Sequence, residues 1–232
     1  MLSIQNIKAG YKGQEVLKGA SLEIAPGTVQ GILGMNGAGK TTFFESLYGR
    51  LPLMDGTRSF CGRPLAREDI SFLETSNYFY PYTTGREHLL LCSQQNPQFD
   101  IEKWNALFRL PLKKLIATYS TGMKKKLALL GTLALARPVI IMDEPFNGMD
   151  MESSETLYQL IGQLRAKQHY ILISSHIMET LTHTCDAISY LSGGMFSQTF
   201  QREDYPGMKA QLREKISVDI QGALDALDAE GF

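Results

Sequence analysis

The 232-residue chain has few of the features that would mark a specialised class. It has only three cysteines, Cys61, Cys92 and Cys185, widely separated and without metal-ligand spacing. An odd, scattered set of this kind points to a reducing compartment rather than a disulfide framework. No apolar run approaches the roughly 20 residues that cross a bilayer. Lys8 and Gly10 interrupt the early apolar residues, so no secretory leader is expected. Charge of one sign is also lacking. The formal net charge is −1, which gives no electrostatic case for a nucleic-acid partner. There is no tandem repeat and no low-complexity linker. What remains is a globular composition, 44% hydrophobic and 20% charged, enough for one or two domains.

The hydrophobic pattern alternates between two periods. LSIQNIKAGY and VLKGASLEI read as half-buried strands, with Ala25 to Gly27 as a turn. TVQGILG is a short buried strand ending in glycine, and a helix is expected from Gly39 to about Tyr48. GTRSF and ISFL read as strands separated by a CGRP turn. From about Thr83 to Ala136 the pattern is helical, with breaks near Pro97 and Pro111. VIIMDE, YILISS and AISYL are further strands, with helices between them. Apolar strands alternating with helices imply an α/β fold with a mainly parallel sheet covered on both faces. The helical stretch implies an inserted subdomain.

Two motifs carry chemistry. Gly34-Met35-Asn36-Gly37-Ala38-Gly39-Lys40-Thr41 matches G-x-x-x-x-G-K-[ST], with a strand before it and a helix after it. Such a loop turns backbone N–H groups toward phosphate oxygens, and the helix N-terminus adds partial positive charge. Lys40 is expected to bridge β- and γ-phosphates, and Thr41 to place its hydroxyl on Mg²⁺, with Thr42 beside it. Val139 to Met142 then delivers Asp143 and Glu144 at a strand's C-terminal end, where open α/β sheets bind ligands. Asp143 suits the metal and Glu144 the attacking water. Alone, the acidic pair could be a solvated turn before Pro145.

In this order the motifs resemble the ATP-binding subunit of ABC transporters, over about residues 1–200. The resemblance implies a P-loop NTPase core, an N-terminal antiparallel β subdomain and a helical signature subdomain at about 75–136. Residues 201–232 fall outside it; KISVDI reads there as a strand and GALDALDAEGF as a short helix. By the resemblance, Tyr11 stacks on adenine, Asn147 to Asp150 forms the loop after the acidic strand, and His176 is the switch histidine. His88, His169 and His183 are expected to be surface or packing residues. The family's usual glutamine near Leu73 to Asn77 is missing. Thr75 is nearest by position, and Glu74 is a candidate metal ligand.

The chain offers two candidates for the family's LSGGQ fingerprint. LSGGM at 191–195 follows the switch histidine and has no helix to cap; Gly193-Gly194 suits a hairpin turn. YSTGM at 119–123 precedes KKKLALLGTLALA, and Ser120 is a good helix N-cap. The resemblance therefore assigns Ser120 and Gly122 to the γ-phosphate of ATP bound by a second nucleotide-binding domain. Lys124 to Lys126 is read as the solvated start of that helix. Tyr78, Phe79, Tyr80 and Tyr82 either fill a subdomain junction or form a docking groove for a permease helix. The expected function is an ATPase, using ATP and Mg²⁺, that dimerises and powers a transmembrane permease from the cytoplasmic face of the membrane. The substituted signature looks exporter-like. The alternatives are an ABC ATPase with a non-transport target and a low-turnover regulatory module.

Overall fold

The structure, a computed structural model, describes residues 1–213. Two sheets share one core. The first has the order β2-β1-β4-β5 and is antiparallel, from Leu2–Tyr11 (β1), Gln14–Ile24 (β2), Asp55–Phe60 (β4) and Arg63–Pro64 (β5). The CGRP segment is thus more than a turn, since its last two residues pair with β4. Pro64 is tolerated because β5 is an edge strand. In β1, Asn6 takes φ 49°, between the register shifts that follow Ile4. That irregularity lets Ile4 and Ile7, three apart, both reach the core.

The second sheet has the order β10-β9-β3-β8-β7-β6. Its strands are Val29–Leu33 (β3), Ile70–Leu73 (β6), Val139–Met142 (β7), Tyr170–Ser175 (β8), Ala187–Ser192 (β9) and Met195–Gln201 (β10). All neighbours run parallel except β10, which returns antiparallel beside β9. Every residue of β3, β7 and β8 is buried, as apolar runs covered on both faces require. The faces alternate strictly. Val139 and Ile141 join the core containing Phe43 and Phe44 of helix α1 (Lys40–Tyr48). Ile140 and Met142 join the core against helices α4 (Thr121–Ala134), α5 (Met151–Ala166) and α6 (Met178–Thr184).

The expected long helical stretch resolves into two short helices, α2 (Gly85–Cys92) and α3 (Ile101–Asn105), before α4. Thr84 and Asp100 cap the two helices through their side chains. These elements close around a third core. Helix α4 serves two cores at once. Leu127, Leu130 and Ala134 face α2 and α3, while Leu129 and Leu133 face the sheet. Residues 205–213 are helical, and Met208 and Leu212 are buried in the sheet core. The strand and helix expected in KISVDI and GALDALDAEGF lie outside the described residues.

Candidate active site

The strand ends β3, β7 and β8 meet at a cleft of about 530 Å³, within the range of small-molecule sites. The loop from Gly34 to Gly39 forms one wall. Gly37 and Gly39 take φ 82° and 103°, conformations that bulkier residues resist. Gly39 caps α1 without a side-chain acceptor, so the first-turn N–H groups remain available to ligand oxygens. Lys40 is buried and folds back over the loop. Its ammonium donates to Gly34 O at 2.7 Å and Met35 O at 3.3 Å, and lies 3.7 Å from Glu144 Oε1.

Asp143 is 1% exposed, yet its carboxylate is fully engaged. Thr41 and Thr75 hydroxyls donate to Oδ2 at 2.7 and 2.9 Å, and the Ser174 hydroxyl donates to Oδ1. Three donors from three elements hold a charge that would otherwise be expensive to bury. Thr41, Thr75 and Asp143 together present hard oxygen donors. No cluster of three or more His, Cys, Asp or Glu residues suited to a metal occurs among the described residues. A sparse oxygen set fits Mg²⁺, which keeps waters and takes substrate phosphate oxygens, and does not fit a soft, thiolate-seeking metal.

Glu144 adopts φ 50°, in the left-handed region. A non-glycine residue there costs of order 1–3 kcal/mol and persists only if its surroundings over-determine it. The surroundings do so. Glu144 N donates to Ser174 Oγ at 2.9 Å, and Lys125 Nζ donates to Glu144 O at 2.6 Å. The side chain is held by His176, whose Nδ1 lies 3.0 Å from Oε1. The carboxylate therefore faces Lys40 and His176 across the phosphate end of the cleft, which Thr41, Thr42 and Asn147 also line.

The cleft gathers Met35, Asn36, Gly37, Gly39, Lys40, Thr41, Thr42, Asp143, Glu144 and His176, all expected from the sequence. Gly34 and Ala38 sit in the same loop, their atoms packed toward each other and Leu191. Glu74 is the exception and corrects the sequence expectation. It forms a bidentate pair with Arg50 at 2.6 and 2.7 Å and does not line the cleft. Thr75, the next residue, donates its hydroxyl to Asp143 Oδ2 instead. Tyr11 does not line the cleft; its hydroxyl donates to Glu45 Oε2 at 2.6 Å on α1, and Val16 lines the wall. Partial burial and Glu45 raise the Tyr11 pKa, so the phenol stays neutral.

Ser120, Gly122 and Asp150 form a second surface, outside this cleft. Ser120 Oγ accepts from Met123 N at 3.2 Å and caps α4. Asp150 caps α5, accepting from Ser153 N at 2.9 Å, and pairs with Lys126 at 2.8 Å. Lys126 first, and the Ser153 bonds after it, hold the Asp150 carboxyl well below the usual carboxylate range. A Cβ on Gly122 would lie 3.3 Å from Gly148 O, so the first turn of α4 packs on the loop after β7. Gly193-Gly194 instead makes the tight turn between β9 and β10, with φ 57° and 82°.

Compared with known proteins, the sequence matches the ABC transporter family over residues 17–147, more than half of the chain. The chain belongs to the ABC transporter family. It is 27% identical over 233 residues to the ABC transporter ATP-binding protein YtrB of Bacillus subtilis (strain 168), covering 97% of this chain and 80% of that one. It is 30% identical over 208 residues to Nod factor export ATP-binding protein I of Burkholderia orbicola (strain AU 1054), covering 83% and 68%. A solved structure of an ATP-binding subunit of an ABC transporter superposes with a TM-score of 0.81 at 28% identity, covering 88% of this chain and 91% of that one. This ABC transporter protein is accordingly an ATP-binding and ATP-hydrolysing subunit.

Sequence reasoning missed two residues of this ABC ATPase site. Ser174 lies in the YILISS strand, which carried no assigned chemical role, although it bonds both Asp143 and Glu144. Lys125 was read as solvated and is 7% exposed. Its spacing four residues before buried Leu129 was the available signal.

Proposed function

We propose that two copies of this nucleotide-binding domain close over ATP and drive a separate membrane permease, in the direction of export. The observation that carries the reading is the convergence of Lys40, Asp143, Glu144 and His176 at one end of the cleft, with Ser120 and Gly122 on a different surface. A site divided in this way is complete when a second chain supplies the signature. No helix among the described residues is long and apolar enough to cross a membrane; in this reading the permease is a separate chain and this one sits at its cytoplasmic face. Export is supported by the Nod factor export relative and by the Ser120, Gly122 and Met123 pattern.

In this mechanism the loop N–H groups and Lys40 bind the phosphates. Tyr11, on the α1 side of the loop, offers a face to the base. Thr41, Thr75 and Asp143 are the residues that would hold Mg²⁺, which neutralises charge on the phosphate oxygens when bound. Glu144 orients a water for in-line attack and takes its proton. His176 fixes the Glu144 carboxylate and reaches the γ-phosphate. ATP binding then biases a two-state dimer toward closure, and hydrolysis releases it. Intact Lys40, Glu144 and His176 disfavour a low-turnover regulatory module.

The test is Glu144→Gln. The variant should bind ATP, release phosphate at least about a hundredfold more slowly, and migrate as a dimer on gel filtration with ATP. Wild-type turnover by this variant would remove Glu144 from the mechanism.

A further inference from the structure

Lys125 is a buried ammonium on the signature helix α4, and it donates a hydrogen bond to the backbone carbonyl of Glu144 at 2.6 Å. Burial lowers its pKa, while Asp143 and Glu144 oppose that shift. A lysine is a poor choice for packing here. An unbranched apolar side chain such as methionine would fill the same space without a buried charge. The charge is tolerated at the one residue of the site whose backbone is strained, at φ 50°. It also reaches that residue from the helix that Ser120 caps.

We infer that Lys125 is a positioning residue for Glu144, linking the signature helix to the water-activating carboxylate of the same chain. The inference rests on the proposed role of Glu144. The amide nitrogen of Glu144 is pinned by Ser174 from β8, and its carbonyl by Lys125 from α4. With both ends of the residue held, the side chain is left one direction, toward His176 and Lys40. The same bond makes Glu144 sensitive to α4. When Ser120 and Gly122 engage the second chain's nucleotide, any movement of the first turns of α4 is transmitted through Lys125 to the Glu144 peptide. Each site's carboxylate would thus sense the engagement of its own chain's signature.

The test is steady-state phosphate release by the full chain, with Lys125→Met, Lys125→Gln, Glu144→Gln and the Lys125→Met/Glu144→Gln double variant. Lys125→Met is expected to lower kcat about tenfold or more with KM for ATP within about twofold. Lys125→Gln, which keeps a donor but loses charge and reach, should fall between Met and wild type. In single turnover, Lys125→Met should add less than about twofold to the Glu144→Gln loss, because both act through one group. A kcat within about twofold of wild type in Lys125→Met overturns the inference. So does an undiminished further loss in the double variant, or a rise in KM that accounts for the whole effect. If Lys125→Met shows no cooperative melt, Lys125→Gln decides: a kcat loss of about threefold or more at constant KM supports the inference, and wild-type kcat overturns it. If Glu144→Gln alone turns over normally, the role of Glu144 fails first and is seen to fail separately.

Discussion

Nδ1 of His176 lies 3.0 Å from Oε1 of Glu144, close enough to fix the direction in which the carboxylate faces. The histidine follows directly after β8, so the same strand that carries Ser174 to the acidic pair also carries the imidazole. Glu144 is therefore gripped by one strand at both backbone and side chain.

His176→Ala should leave ATP affinity nearly unchanged and lower kcat by about a hundredfold. Phosphate release and nucleotide binding, measured on the same preparation, separate the two effects. Loss of binding without loss of kcat at saturation would show that His176 serves the ground state only.

Thr75 and Glu74 are neighbours with opposite expected roles. Thr75→Ala removes one of the bonds to the buried Asp143 carboxylate and should cost about 1 kcal/mol of stability. It should also raise the Mg²⁺ concentration needed for half-maximal turnover. Glu74→Ala releases a half-exposed pair with Arg50, a contact of about 0.2–1 kcal/mol, and should leave the Mg²⁺ dependence alone. A Mg²⁺ titration of both variants tells them apart, and a shift in Glu74→Ala would return that residue to the metal site.

The aromatic run is exposed where it matters for docking. Tyr78 is 76% and Tyr82 89% exposed, and Tyr78 meets Tyr80 edge to face at 5.7 Å. Phe79 instead turns inward against His88 and the cores. One ring of the run thus fills the subdomain junction, and three face solvent. Tyr78→Ser with Tyr82→Ser should reduce permease co-purification and spare ATP binding, with stability changed by less than about 0.5 kcal/mol. Undiminished co-purification would place the permease elsewhere.

His88 packs edge to face on Phe79, and burial pushes its pKa below the ordinary histidine value. The unfolded chain accepts that proton first, so stability is full above about pH 6.5 and falls as the pH drops below it. His88→Gln should flatten this decline between about pH 6.5 and 5, measured as the difference in melting temperature from wild type. Parallel curves would show that His88 takes up its proton equally in the folded and unfolded chains.

Much of this was legible in the sequence because it is periodic or local. Short apolar runs such as VIIM and YILI, rich in β-branched residues, read as central strands. The phosphate loop is contiguous, and the helix beginning at Ser120 shows its cap and its apolar stripe. The illegible parts depend on which of two neighbours turns inward. Glu74 and Thr75 both follow β6, and the outcome was set by Arg50, a residue past the end of α1 that attracts Glu74. Lys125 sits in a run of three lysines whose charge masks its place on the buried side of α4. Residues 205–213 reach the core through only two buried apolar side chains, too weak a pattern to read alone.

The β9–β10 hairpin, with its borrowed-looking LSGG, lies beside the phosphate loop. A Cβ on Gly34 would come within 2.8 Å of Leu191 O, and one on Gly194 within 2.2 Å of Val16 O. Gly194 O also accepts from Lys18 N at 2.9 Å, tying the turn to the antiparallel sheet. The first glycine of the phosphate loop is thus constrained by a strand that does not line the cleft. An engineer enlarging position 34 to reshape nucleotide preference would first have to rebuild the turn after β9, and a mutation at Leu191 could register in an affinity assay as though it had struck the loop itself.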